Sequence, residues 1–316
     1  MIGLIDVDGH SGFPNLALMK ISSYWKSQGQ AVEWAMPMFG DYDVLYSSKV
    51  FTFSQEPEYN HYRYNVLEKG GTGYSIPKTL PKEMDVVHSP DYTIYPNCDY
   101  SIQFYSRGCI RQCPFCLVRE KEGKIHPVEP MELNPKGKWV EVLDNNFFAN
   151  PEWKSAVKEL DRGGQPVKFH GVDVRIMDEE QAWWLNKLKL KTGIHIAWDL
   201  PQLDLTDRLK AMVKHISPYK ITCYVLVGFN STIEQDLNRI YTLRDLGITP
   251  FVQPYRDFEN KRSPTQYEKD LARWVNQRVA FKLCNFENFS PRKGFKCGEY
   301  LKREEVVPRF GATSYS

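Results

Sequence analysis

The chain has 316 residues, 42% hydrophobic and 25% charged, with 41 basic against 39 acidic side chains and a net charge of +2. That balance excludes a highly charged disordered chain and gives no overall nucleic-acid footprint. No apolar run approaches the ~20 residues that span a bilayer, and the N-terminus lacks the basic start and long apolar stretch of a signal peptide, so a cytoplasmic protein with no membrane partner is expected.

Residues 2–7 are a short apolar run, read as a first strand, that ends in the turn-rich segment Asp8-Gly9-His10-Ser11-Gly12. Pro14 then opens a helical pattern through about Gln28, with Leu16, Leu18, Met19 and Ile21 at apolar positions. Residues 31–36 and 44–51 read as further strands, and 64–76 as another, closing on Gly70-Gly71-Thr72-Gly73. Strand, helix and strand with a short return predict a small Rossmann-like α/β domain over 1–76. The glycine-rich stretch fits either a phosphate cradle of backbone N–H groups or a tight turn. Residues 77–99 are marked by prolines and turn formers and read as a connector over the surface.

From Tyr100 the pattern changes. Candidate strands at 100–106, 139–144, 167–172, 194–199, 220–228 and 250–255 alternate with helical patterns at 151–162, 178–190, 203–215 and 232–246. Ser231 or Thr232 caps the last of these helices. Six strands alternating with helices predict an α/β region with a parallel sheet, open or curled into a partial barrel, over 100–257. Residues 258–316 form a C-terminal helix at about 264–283 and a polar tail, given no regular structure from Asn285 onward.

Seven cysteines, an odd number, argue against a disulfide framework. Three crowd into Arg107-Gly108-Cys109-Ile110-Arg111-Gln112-Cys113-Pro114-Phe115-Cys116, a C-x3-C-x2-C spacing. Iron–sulfur clusters are held by cysteine thiolates. Three thiolates on one loop hold three irons of a cubane and leave the fourth open to a ligand, as metal-centred chemistry requires. The loop follows a predicted strand, which puts it at the C-terminal edge of the sheet, where parallel α/β folds bind ligands. The competing reading is a zinc site with Cys98, His126 or His170 as fourth ligand. Such sites are more often built from two paired knuckles, and no second C-x2-C is present.

This spacing, with the aromatic Phe115 before the last cysteine, resembles the signature of the radical-SAM superfamily. The alternation from Tyr100 to Asp257 resembles that family's partial (β/α)6 barrel, and the smaller N-terminal domain resembles the Rossmann-type domain ahead of the barrel in its cobalamin-binding and methylthiotransferase branches. The resemblance implies a [4Fe–4S] cluster on Cys109, Cys113 and Cys116 that chelates the amino and carboxylate groups of S-adenosylmethionine. One electron breaks the S–C5′ bond, and the 5′-deoxyadenosyl radical takes hydrogen from a substrate. A reducing partner such as flavodoxin or ferredoxin is implied as well.

Further cofactor contacts follow only by place in the fold. Asp144, Asn145 and Asn146 stand where the family has Gly-Gly-Glu for the cofactor's amino group; they supply acceptors there or form a capping turn. Arg175 stands for a carboxylate clamp or a surface ion pair, Asp199 for a ribose contact, Gly228 for close backbone approach, and Gln253 for an adenine or substrate contact. Arg119, Lys121, Glu122 and Lys124 read as a solvated face. Asp8-x-His10 resembles the Asp-x-His-x-x-Gly motif of cobalamin domains, but Gly12 falls one residue early, which makes cobalamin the weaker expectation. RNA, a peptide and a small metabolite stay open as substrates. A methylthiotransferase would carry three further cysteines in its N-terminal domain, and none precedes Cys98. The alternative class is a zinc-binding or catalytically inactive interaction module.

Overall fold

The first apolar run folds as β1 (Ile2–Asp6), with Ile2 to Ile5 buried, as an inner strand of a parallel sheet requires. In this computed structural model, which describes residues 1–257 and 260–302, β1 pairs on one side with β2 (Val32–Trp34) and on the other with β3 (Asp41–Ser48). β4 (Arg63–Gly70) extends the sheet beyond β3, and the order β2-β1-β3-β4 is parallel throughout. Between β1 and β2 runs α1 (Leu16–Ser27), which buries Leu18, Met19 and Ile21. Asn15 rather than Pro14 starts it, its side chain accepting from Leu18 N at 3.3 Å.

Residues 77–99 do more than cross the surface. They form α2 (Lys82–Asp85) and a 3-10 turn at Tyr92–Ile94. Met84, 3% exposed, joins Ile2, Leu4, Leu18 and Ile21 in one core. The Tyr95 hydroxyl donates to Asp6 at 2.6 Å, and Tyr92 accepts from Ile102 N at 2.9 Å. Met84 and Tyr95 bind the segment to the α/β layer before it, and Tyr92 binds it to the strand that follows.

The chain continues through β5 (Ser101–Gln103), β6 (Ser106–Arg107), α3 (Val118–Glu122), β7 (His126–Pro127), β8 (Val140–Val142), α4 (Trp153–Gly163) and β9 (Val167–Phe169). β5, β8 and β9 make a three-stranded sheet, and β6 pairs antiparallel with β7. The molecule divides into two compact units, Met1–Val167 and Lys168–Ser316.

The second unit carries α5 (Glu179–Lys187), β10 (Ile194–Ala197), α6 (Thr206–His215), β11 (Ile221–Val227), α7 (Ile233–Asp245), β12 (Thr249–Pro254), α8 (Gln266–Asn276) and α9 (Arg278–Leu283). β10-β11-β12 is a parallel ladder. All six strands expected after Tyr100 are therefore present, with helices between, as two three-stranded ladders. Thr232 caps α7 through a reciprocal box with Gln235. The single helix expected at 264–283 breaks at Gln277, whose backbone is extended, into α8 and α9.

The tail from Asn285 is also more ordered than its polarity predicts. It forms 3-10 turns at Phe286–Asn288 and Cys297–Lys302 that bury Phe286 and Cys297. Tyr300 donates to Asp270 of α8 at 2.6 Å. The end of that tail, 303–316, and Phe258 and Glu259 lie outside the described residues. Among the described residues no helix is long and apolar enough to cross a membrane.

Candidate metal centre

The cysteine loop is an excursion between the antiparallel strands β6 and β7. Gly108 starts it at φ 78°, and a Cβ there would lie 2.4 Å from the Lys124 carbonyl oxygen. Only glycine satisfies both the left-handed backbone and this approach. Gly108→Ala is accordingly expected to cost about 2 kcal/mol or more, since the backbone conformation alone costs ~1–2 kcal/mol. Thermal unfolding measures it, and a variant as stable as the parent would contradict a rigid loop root.

Cys109 and Cys113 are half-buried and Cys116 is exposed. Phe115 is half-buried in the turn between the last two. The Arg111 N–H donates to Cys109 Sγ at 3.3 Å, and the Asn146 amide approaches the same sulfur at 3.9 Å. The Cys116 N–H donates to the Cys113 carbonyl at 3.0 Å. Among the described residues no group of three or more His, Cys, Asp or Glu side chains is drawn together as metal ligands. Thiols converge around a cation only as they deprotonate, so metal binding and loop closure are coupled. The donor set fits a thiolate-bound metal in kind: three thiols share one loop, and N–H groups reach the first sulfur.

The charged run after the loop is a clasp, contrary to the solvated face expected. Glu122 Oε1 accepts from Arg107 at 2.6 Å, and its Oε2 accepts from the Gly108 N–H at 3.0 Å and from Asn145 at 2.7 Å. Arg119 donates to the Cys109 carbonyl at 3.0 Å. Glu122 thus ties both ends of the loop to the end of β8.

The polar residues after β8 meet the same loop. Asp144, 1% exposed, accepts from Tyr105 N at 3.0 Å and from the Ser106 hydroxyl. Burial raises its pKa, opposed by those hydrogen bonds. Asn146 is equally buried. Asp144, Asn145 and Asn146 are therefore brought to the cysteine loop, where Asp144 and Asn145 serve as supports. Among the described residues no side chain caps α4: Glu152 stands at its N-cap, and Asn150 accepts from Glu152 N at 2.9 Å in the turn before it.

The other expected contacts lie in the second unit. Arg175 forks onto Asp173, with Nε to Oδ1 at 2.6 Å and Nη2 to Oδ2 at 2.9 Å, so the proposed clamp already holds a carboxylate of its own chain. Asp199 follows β10, and burial raises its pKa against the Leu226 N–H, Arg239 and Arg175. Gly228, at φ 78°, lets the Glu268–Arg262 pair pack against it: a Cβ would stand 2.3 Å from Glu268 Oε1. Its glycine has a local packing cause. Gln253 is an exposed residue of β12.

Arg239 and Asp236 of α7 went unread in the sequence. Both are 1% exposed and paired at 2.6 Å. Arg239 also donates to the carbonyls of Trp198 at 2.6 Å and Leu226 at 3.0 Å, which binds the ends of β10 and β11. The available signal was an i,i+3 charge pair among the apolar positions Leu237, Ile240 and Leu243.

At the first sheet's edge, Asp8 is buried and accepts from Val50 N at 2.6 Å and from the Ser54 hydroxyl. Burial raises its pKa, but hydrogen bonds from Ser54 and the backbone outweigh that and lower it. Its carboxylate supports the Val50 loop, while His10 is exposed in a 3-10 turn. Gly70 to Gly73 form the tight turn: Gly73 N donates to the Lys49 carbonyl, and Tyr74 N and Ser75 N both donate to the Gly71 carbonyl. Those three N–H groups are spent within the chain, as the turn reading requires. Of the fourth ligands considered for zinc, Cys98 is buried beside the Tyr100 carbonyl and His126 bonds to the Lys124 carbonyl. No protein-family model matches the chain, and no curated protein matches it.

Proposed function

We propose that the chain is a radical-SAM enzyme, with Cys109, Cys113 and Cys116 as the cluster ligands. The C-x3-C-x2-C loop, set just after β5 of the β5-β8-β9 sheet and rooted on the antiparallel β6–β7 pair, carries this reading. Its sheet is taken as the partial (β/α)6 barrel that the resemblance implies. Bound on these thiolates, a [4Fe–4S] cluster supplies the electron that splits the S–C5′ bond of S-adenosylmethionine.

The chain's own part is positional. The Arg111 N–H donates to the Cys109 sulfur and the Asn146 amide approaches it, so both orient this ligand. Glu122 and Arg119 hold the loop root, so that only the stretch from Ile110 to Cys116 has to adjust to a metal. Exposure of Cys116 leaves the outer side of the loop open to ligand and reductant. Cobalamin is left out of the proposal because Asp8 is committed to Val50 and Ser54.

The test is anaerobic reconstitution with iron and sulfide, reduction, and addition of S-adenosylmethionine. About four irons and four sulfides per chain are expected for a cubane, with 5′-deoxyadenosine released. Zinc without acid-labile sulfide would overturn the proposal in favour of a zinc-binding module. A cluster without 5′-deoxyadenosine would overturn the catalytic part and leave an inactive relative of the fold.

A further inference from the structure

The half of the first sheet formed by β3 and β4 has only a 3-10 turn, Tyr59–His61, and no α-helix between its strands, and parallel sheets are normally covered on both faces. A cleft of about 900 Å3 opens there, at the upper end of the size range of small-molecule sites. Its apolar wall includes Ile21 and Trp25 of α1, Tyr46 of β3, Met84 of α2, and Phe104. Gly70, at the C-terminal end of β4, also lines it, and that is the edge at which open α/β sheets take ligands.

One end of the cleft is cationic. Arg107 and Lys121 line it with a single carboxylate between them, Glu122. Both Glu122 oxygens are already engaged, by Arg107, Gly108 N and Asn145. The Arg107 guanidinium lies 4.1 Å over the Phe104 ring, which fixes its plane. Among the described residues, Lys121 makes no ion pair and donates to the Lys78 carbonyl at 2.5 Å. Burial pushes its pKa down, and Arg107 adds to the fall while Glu122 opposes it. Elsewhere the lining charges pair off, Lys20 with Asp85, Lys78 with Glu68 and His88 with Glu129. Glu83 of α2 is the remaining carboxylate of the lining.

We infer that this cleft binds a small amphipathic organic anion, with its acidic head on Arg107 and Lys121 and its apolar or aromatic body against Trp25, Tyr46 and Met84. A planar fork beside an ammonium recognises a carboxylate or a like oxyanion, and the aromatic wall takes a body that water rejects. The site is separate from the cysteine thiols and does not depend on the metal-centre assignment, although Arg107 and Glu122 are common to the cleft and the clasp.

The test uses the intact chain and two fluorescent probes. Anilinonaphthalene sulfonate is an aromatic anion, and N-phenylnaphthylamine has nearly the same body without the charge. Saturable binding of the anionic probe is expected. Lys121→Met, a change at a half-exposed side chain outside the core, is expected to weaken it about tenfold, the effect of one lost charge-assisted contact, and to leave the neutral probe unchanged. Leu80→Trp, which fills the cleft, is expected to weaken both probes. Cys109→Ala is expected to change neither, which separates this site from the metal centre. Unchanged anionic affinity in Lys121→Met, an equal loss of both probes in that variant, or no saturable binding to the parent would each overturn the inference.

Discussion

Arg239→Met is expected to destabilise the second unit by about 3–5 kcal/mol, the range for removing one partner of a buried ion pair. Arg239 and Asp236 are each 1% exposed, so solvent cannot take over the abandoned charge. The Trp198 and Leu226 carbonyls lose their donor in the same step. Urea unfolding measures the loss. Its pH dependence identifies the cause.

Burial raises the Asp236 pKa to about 6, with Arg239 as the main opposing charge. The folded chain therefore binds this proton up to about pH 6, whereas an unfolded aspartate releases it near pH 4. Between those values the folded state carries more protons, so this group's contribution to stability falls as pH rises. Removing Arg239 raises the folded pKa further and carries the fall to higher pH. Asp199, which Arg239 also opposes, moves the same way. The deficit of Arg239→Met should thus be smaller at pH 5 than at pH 8, and Asp236→Asn in the same chain should recover part of it. A deficit independent of pH would mean that lost packing of the arginine stem, not the stranded carboxylate, is the cause.

The elements that the sequence made legible are those whose apolar period is local. β1 and α1 show it, as do the strands and helices from β8 to β12, because each buries one continuous run or stripe. Residues 77–99 hide their part in the core because Met84, Tyr92 and Tyr95 are single anchors in a proline-marked stretch. The break at Gln277 is invisible for the opposite reason: the apolar positions continue across it, from Trp274 and Val275 to Phe281. At the metal centre, cysteine spacing is a local property and could be read. The supports could not be. Arg107 meets Glu122 fifteen positions away, and Asn146 meets Cys109 from the end of another strand. Glu122 looked like one more surface charge because its neighbours in sequence are charged. Only the fold turns it inward, to the Gly108 N–H.

Cys109→Ala is expected to abolish cluster assembly, and Glu122→Ala to weaken it without abolishing it. Cys109 is the ligand nearest the fixed root of the loop. Its N–H donates to the Gly123 carbonyl, its carbonyl accepts from Arg119, and its sulfur receives the Arg111 and Asn146 donors. Two thiolates that remain on the more exposed part of the loop cannot hold a cubane with only one open iron. Glu122→Ala keeps all three thiols but removes the acceptor for Arg107, Gly108 N and Asn145. At a net ~0.5–1.5 kcal/mol per hydrogen bond, that loosens the root by about 2 kcal/mol, which the cluster must then supply as it closes the loop. Iron and sulfide per chain after matched reconstitution should therefore rank parent, Glu122→Ala, Cys109→Ala, with the last near zero. Circular dichroism of the three unloaded chains should agree, since Glu122 and Cys109 act on a loop and not on a strand or helix core. A full cluster in Cys109→Ala would remove that residue from the ligand set. Equal iron in Glu122→Ala and the parent would show that the clasp has no part in holding the metal.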